Sequence, residues 1–212
     1  MPCADHLPPV DLSRVSATSI LSGEHRVILQ VLDVVEKLAA LALRDQRIPS
    51  EHASQALEVL AKFADRCHHG KEETVLFPVL EAIQPGFSPV QMMRAEHVES
   101  RAFIRAMTEA VAAGDAASYA RAANGYVDLL RQHIHKEDDI LFRFAGQMLT
   151  PAQDAEVLDG YRRIEHDDMG DGTHERLLGI ADTLATTYGV PRASDSQQIM
   201  DLLTAICGCK KD

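Results

Sequence analysis

Residues 68–77 read HHGKEETVLF, and residues 133–142 read HIHKEDDILF. His68, Lys71, Glu72, Leu76 and Phe77 recur as His133, Lys136, Glu137, Leu141 and Phe142, with Glu73/Asp138 and Val75/Ile140 as near matches. Each copy sets a His and a Glu four residues apart. On a helix, positions i and i+4 stand one above the other on one face, so each copy offers an imidazole nitrogen and a carboxylate to the same point in space. Two such helices facing each other can build a two-metal carboxylate site inside a four-helix bundle. A lone His-x-x-x-Glu arises by chance in a chain with ten histidines; the duplicated Lys, Leu and Phe around it give the motif its weight.

The repeat extends upstream. Glu24-His25 opens GEHRVILQVLDVVEKLA, and Glu96-His97 opens AEHVESRAFIRAMTEAV, both with the periodicity of long amphipathic helices. The order is therefore His, then His-x-x-x-Glu, given twice. The first helix stops before Pro49-Ser50, and His25 and His68 both lie roughly 30–35 Å from that turn at 1.5 Å per residue. His97 and His133 lie about equally far from the turn at Gly114-Asp115. The connection near Pro85-Gly86 balances less well and implies an overhang of the second helix.

Ser88-Pro89 and Thr150-Pro151 read as an N-cap followed by proline at the first helical position, and Gly114-Asp115 as a stop followed by a new cap. The punctuation predicts helices near 17–45, 51–83, 89–113, 116–148, 151–168, 174–188 and 195–206. Short loops between the first four imply antiparallel neighbours. The expected fold is all-α: an extended lead-in over 1–16, an up-down-up-down four-helix bundle over 17–148, and a helical C-terminal extension over 149–212 packed on one end or side.

Composition agrees. Trp is absent and aromatics make up 5% of 212 residues, while the apolar fraction is 46%. That favours helices over a sandwich or barrel. The net charge of −11 argues against nucleic acid and against an anionic membrane surface. The chain has no run of about 18 apolar residues and no basic region followed by an apolar stretch at its start, so the cytoplasm is the expected location. Cys3, Cys67, Cys207 and Cys209 form no C-x-x-C pair, and a disulfide framework is not expected. No phosphate loop or nucleophile elbow is present.

Imidazole suits divalent first-row metals, and carboxylates suit harder or higher-valent ions. Glu72 and Glu137 each have two oxygens and can bridge two ions, with His25, His68, His97 and His133 capping them two per metal. The bridging charge offsets the repulsion of two cations a few Å apart. On His25, His68, Glu72, His97, His133 and Glu137 the chain resembles the hemerythrin-like (HHE cation-binding) family over roughly 17–148. The resemblance implies a four-helix bundle with an oxo- or hydroxo-bridged di-iron centre. It also implies small ligands such as O2, peroxide or NO, handled by a reactive centre or by an iron- or oxygen-sensing module that acts through a partner. Oxygen carriers of the family have a further His one turn before the helix-three His. Here that position is Met93. An open coordination position follows, or a residue of the extension fills it.

Other polar residues have competing readings. His69/Glu73 is also an i, i+4 pair, but the repeat alignment selects His68/Glu72 and leaves His69 behind the ligands or at the surface, with His135. His6 and His52 are expected in exposed caps. Tyr126, seven residues before His133, is a core residue or a hydrogen-bond partner behind the ligands. In RIEHDDMGDGTHERL (163–177), Glu165 and His174 belong either to a solvated turn or to an element that reaches the bundle mouth as an extra ligand or gate. The spacing of acids there does not fit a calcium loop.

Overall fold

Local chemistry sets the helix ends. Ser16 accepts a hydrogen bond from Ser19 N–H, and the Ser19 hydroxyl accepts one from Ser16 N–H, a reciprocal cap that starts α1 at Ala17 (Ala17–Asp45). Gln46 closes α1 in the left-handed conformation, and Pro49 follows. The computed structural model describes residues 15–170, 172–196 and 200. Most of the expected lead-in, Cys3, His6, Cys207, Cys209 and nearly all of the expected helix 195–206 lie outside them.

α2 runs over 50–83, but not as one regular α-helix. An α-helical start, Ser50–Val59, gives way to a π-helical stretch, Leu60–His69, then a second π turn, Glu72–Leu76, then α-helix again, Phe77–Ile83. α3 is Ser88–Ala113; its cap is Phe87 rather than the expected Ser88, and Pro89 sits in the first turn, where its missing N–H costs nothing. α4 runs over 116–148 from an Asp115 cap, with a π turn at Glu137–Leu141 between Ala116–Lys136 and Phe142–Met148. α5 joins Pro151–Arg163 to the π turn Ile164–Met169 behind a Thr150/Gln153 capping box. α6 is Thr173–Tyr188, followed by a 3-10 turn at Ala193–Asp195. The described residues are helical and contain no strand. None of their helices is long and apolar enough to cross a membrane.

α1 packs along α4 and α6, α3 along α4, and α6 also along α2. The extension therefore lies against the side of the α1–α2 pair. His52, expected in an exposed cap, instead joins α2 to α6 through Tyr188 Oη at 2.6 Å. α5 reaches α2 closely because Gly160 has no side chain: a Cβ there would stand 2.6 Å from Val75 Cγ1. The apolar interior is in two parts. One is built on residues such as Val31, Leu38, Phe63, Leu130 and Leu184; the other on Leu21, Leu76, Phe77, Met93 and Tyr161. Between them runs a buried polar band.

Candidate metal centre

The polar band contains His25, His68, His69, Glu72, His97, His133 and Glu137, all at most 1% exposed. Apolar layers above and below exclude water, so each of these polar atoms must find a partner inside the protein or pay for its desolvation. The structure brings together all six residues selected from the repeat.

Every histidine of the repeat is turned by a carboxylate on another helix. Nδ1–H of His25 donates to Asp138 (3.0 Å), His68 to Glu24 (2.9 Å), His97 to Glu73 (2.7 Å) and His133 to Glu96 (2.9 Å). An ionised carboxylate only accepts, so each ring carries a hydrogen on Nδ1 and aims Nε2 inward. Such outer carboxylates fix ring orientation and raise ligand basicity. The repeat is thus deeper than its ligands. The residue after each motif Glu (Glu73, Asp138) holds the His of the facing half, and the Glu before each upstream His (Glu24, Glu96) holds the motif His. That same Glu also pairs with the motif lysine: Glu24 with Lys71, and Glu96 with Lys136.

The inward atoms converge in two pairs. Nε2 of His25 and His68 are 3.1 Å apart, as are those of His97 and His133. Two neutral rings would set nitrogen lone pairs against each other, and one proton or a metal cation between them removes the conflict. Two nitrogens each about 2.1 Å from a first-row metal and at right angles would stand about 3.0 Å apart, close to these separations. The carboxylates span the pairs. Glu72 Oε1 lies 3.8 Å from His68 Nε2, and its Oε2 lies 3.4 Å from His97 Nε2. Glu137 Oε2 lies 3.2 Å from Nε2 of both His25 and His133. None of the four carboxylate oxygens has a properly formed hydrogen bond. The donor set fits metal ions: four oxygens and the histidine nitrogens share one buried space.

Protonation follows the same charges. Burial lowers His25, but Asp138 and Glu137 overcome it and carry the ring up to about 9. Its neighbour His68 is pushed down to about 4 by burial and by the charge on His25. The pair holds one positive charge, where a cation would supply it. Burial and the adjacent Glu137 push the Glu72 carboxyl well above its usual range.

His69 is the residue that sequence reasoning left behind the ligands. It is fully buried, its Nε2 has no partner, and it forms a compact group with Glu72, His97 and His133. Its ring stacks on His97 at 3.8 Å between centroids. Its Nδ1 lies 3.4 Å from Asp65, repeating the outer-carboxylate arrangement at longer range. Arg101 grips Asp65 and Glu73 together, at 2.7 and 2.8 Å. The competing pairing of His69 with Glu73 is therefore not formed, since Glu73 serves His97. His69 and His68 both face inward because the π stretch Leu60–His69 carries more residues per turn than an α-helix. In the second repeat the matching residue is Ile134, a core side chain.

The remaining candidate residues stand outside this cluster. Met93 is buried among Phe77, Leu80 and Val90 as packing. Tyr126 is fully buried, and its hydroxyl makes no hydrogen bond to the histidines. Glu165 and His174 are buried, so theirs is not a solvated turn, yet they form a separate group with Cys67 rather than joining Glu72 or Glu137. His174 Nδ1 meets Glu165 Oε2 at 3.1 Å, and the Cys67 thiol donates to Glu165 Oε1 at 3.2 Å. Glu165 also pairs with Lys71.

Comparison with known proteins adds a family. The hemerythrin HHE cation-binding domain matches residues 16–145. Uncharacterized proteins of Mycobacterium tuberculosis (Rv1995) and Mycobacterium bovis (Mb2018) are 20% identical over 182 residues, covering 83% of this chain and 71% of theirs. No solved structure matches the chain.

Proposed function

The chain belongs to the hemerythrin HHE cation-binding domain family, and from that premise we propose that it holds two iron ions in an up-down-up-down four-helix bundle formed by α1–α4, over 17–148, and reacts with or senses O2, peroxide or NO. His25 and His68 would hold one ion, His97 and His133 the other, and Glu72 and Glu137 would supply carboxylate charge to both. His69 is the further histidine of the second ion, supplied by helix two where Met93 leaves helix three without one. The observation that carries this reading is the convergence of two Nε2–Nε2 pairs, the unpartnered His69 Nε2 and four unpartnered carboxylate oxygens in a dry band. Bound iron would supply Lewis acidity and one-electron redox chemistry. The protein orients the imidazoles and excludes water. Metal analysis with an optical spectrum tests the reading: about two irons per chain and near-ultraviolet absorption are expected, and a metal-free, featureless protein after iron reconstitution would overturn it. Oxygen release on adding peroxide would separate a reactive centre from a non-catalytic iron- or oxygen-sensing module.

Stability should follow occupancy. Buried groups without partners cost on the order of 1–3 kcal/mol each, and a ligand that binds only the folded chain stabilises it by about 2.7 kcal/mol at a hundredfold excess over its Kd. For a chain of this length that corresponds to roughly 5–10 °C. The iron-loaded protein should melt higher than the chelator-treated protein by at least that much in calorimetry. Coincident melting curves would mean that the band needs no metal.

The role given to His69 has its own test. In His69→Ala, chelator competition should show one binding step weakened by at least about tenfold and the other unchanged, with azide binding faster at the opened position. Two unchanged steps would make His69 a packing residue.

A further inference from the structure

Apart from His69, which Ile134 replaces in the second repeat, the two halves of the metal centre match position for position until the extension is considered. On the His133 side, Glu96 pairs with Lys136, and both reach solvent, at 16% and 27% side-chain exposure. On the His68 side, the equivalent Lys71 is fully buried and pairs with two carboxylates, Glu24 from α1 and Glu165 from α5. Glu165 is in turn held by His174 of α6. An unbroken buried path therefore runs from His174 through Glu165, Lys71 and Glu24 to Nδ1 of His68. The single charge of Lys71 stands between two acids, whereas Lys136 faces one.

We propose that Glu165 is a positioning residue of the metal centre, through which docking of the extension (151–188) and cation binding at the His25–His68 pair favour each other. The inference rests on the metal reading above and deepens it: the extension makes the two ions inequivalent and reports on one of them. The physical cause is twofold. Glu165 clamps Lys71, Lys71 clamps Glu24, and Glu24 sets the angle of the His68 ring, so removing Glu165 loosens a ligand three contacts away. Glu165 also adds a buried negative charge on that side alone, which favours a cation there more than at the His97–His133 pair. Coupling of this kind is reciprocal: whatever factor the docked extension adds to metal affinity, the metal adds to docking. The close seating of Gly160 on Val75 gives the extension a contact with the π turn that carries Glu72.

The test uses the full chain and cobalt(II) under argon as the probe, with chelator competition for the two binding steps and amide exchange over 151–188. In the unaltered chain, loading should slow exchange in α5 and α6. In Glu165→Gln, which keeps the side-chain shape, one step should weaken by about tenfold, the other should stay within about twofold, and the metal-induced slowing should be lost. His174→Ala leaves the Lys71 contact in place and should shift the same step by a smaller factor, which keeps the idea testable if Glu165→Gln folds poorly. Equal weakening of both steps, or slowing that persists unchanged in both variants, would overturn the coupling while leaving the metal reading intact. Failure of the unaltered chain to bind cobalt or iron would overturn both.

Discussion

Glu72→Gln is expected to reduce the iron content from about two per chain to one or fewer while raising the stability of the metal-free chain. The two effects have one cause. Glu72 presents one oxygen to each histidine pair, 3.8 Å from His68 and 3.4 Å from His97, so the loss of its charge is felt by both ions. Two cations a few Å apart need bridging negative charge, and a neutral amide offers one weaker oxygen and no charge. Without metal the same carboxylate is a liability: it is fully buried beside Glu137 with no formed hydrogen bond, and replacing such a group with a neutral isostere is often neutral or stabilising. Glu137→Gln should lose metal as severely, because its Oε2 serves His25 and His133. Its effect on the metal-free chain should differ in sign, since it removes the partner of two imidazoles that Glu137 helps to charge. Iron analysis and denaturant melts of the chelated proteins would check both. Full iron retention in either variant would remove the bridging role, and a destabilised metal-free Glu72→Gln would show that its carboxylate supports the fold.

These residues were visible in the chain because the motif is periodic. His-x-x-x-Glu obeys the i, i+4 rule, and its duplication survives in HHGKEETVLF and HIHKEDDILF. Helix starts at Asp115 and Thr150 were legible because capping is local. His69 was not, because its inward turn depends on a π stretch from Leu60 to His69, and no spacing rule based on 3.6 residues per turn anticipates it. The hint was compositional: helix three lacks a histidine at Met93 where helix two has two in tandem. The outer carboxylates were half legible. Glu24, Glu73, Glu96 and Asp138 stand at repeated positions, yet the partner of each is on another helix, so only packing reveals it. Glu165 was legible only as a candidate extra ligand or gate beside His174; its pairing with Lys71 had no signal. It meets Lys71 across 94 positions of chain, a long-range pairing that sequence pattern cannot encode.

Lys71→Met should cost about 3–5 kcal/mol of unfolding free energy in the metal-free chain, and Lys136→Met about 1 kcal/mol or less. The sequence treats these lysines as the same residue, at the same place in the same motif. Their surroundings separate them. Lys71 is fully buried, and its removal strands Glu24 and Glu165 in a dry interior, where an uncompensated charge is what makes a broken buried pair expensive. Lys136 and Glu96 keep contact with water, which screens the loss. Against a typical total of about 5–15 kcal/mol the first substitution removes a large share, equivalent to roughly 6–20 °C for a chain of this length. Methionine keeps most of the volume of the lysine stem, so the difference reports charge rather than a cavity. Adding Glu165→Gln to Lys71→Met should restore part of the loss, because it removes one of the two stranded acids, and residues in direct contact do not act additively. Urea denaturation of the four proteins with unchanged m-values would measure each term. Equal costs for the two lysines, or a double variant no more stable than Lys71→Met, would mean that the extension's carboxylate bears no charge relation to the repeat it covers.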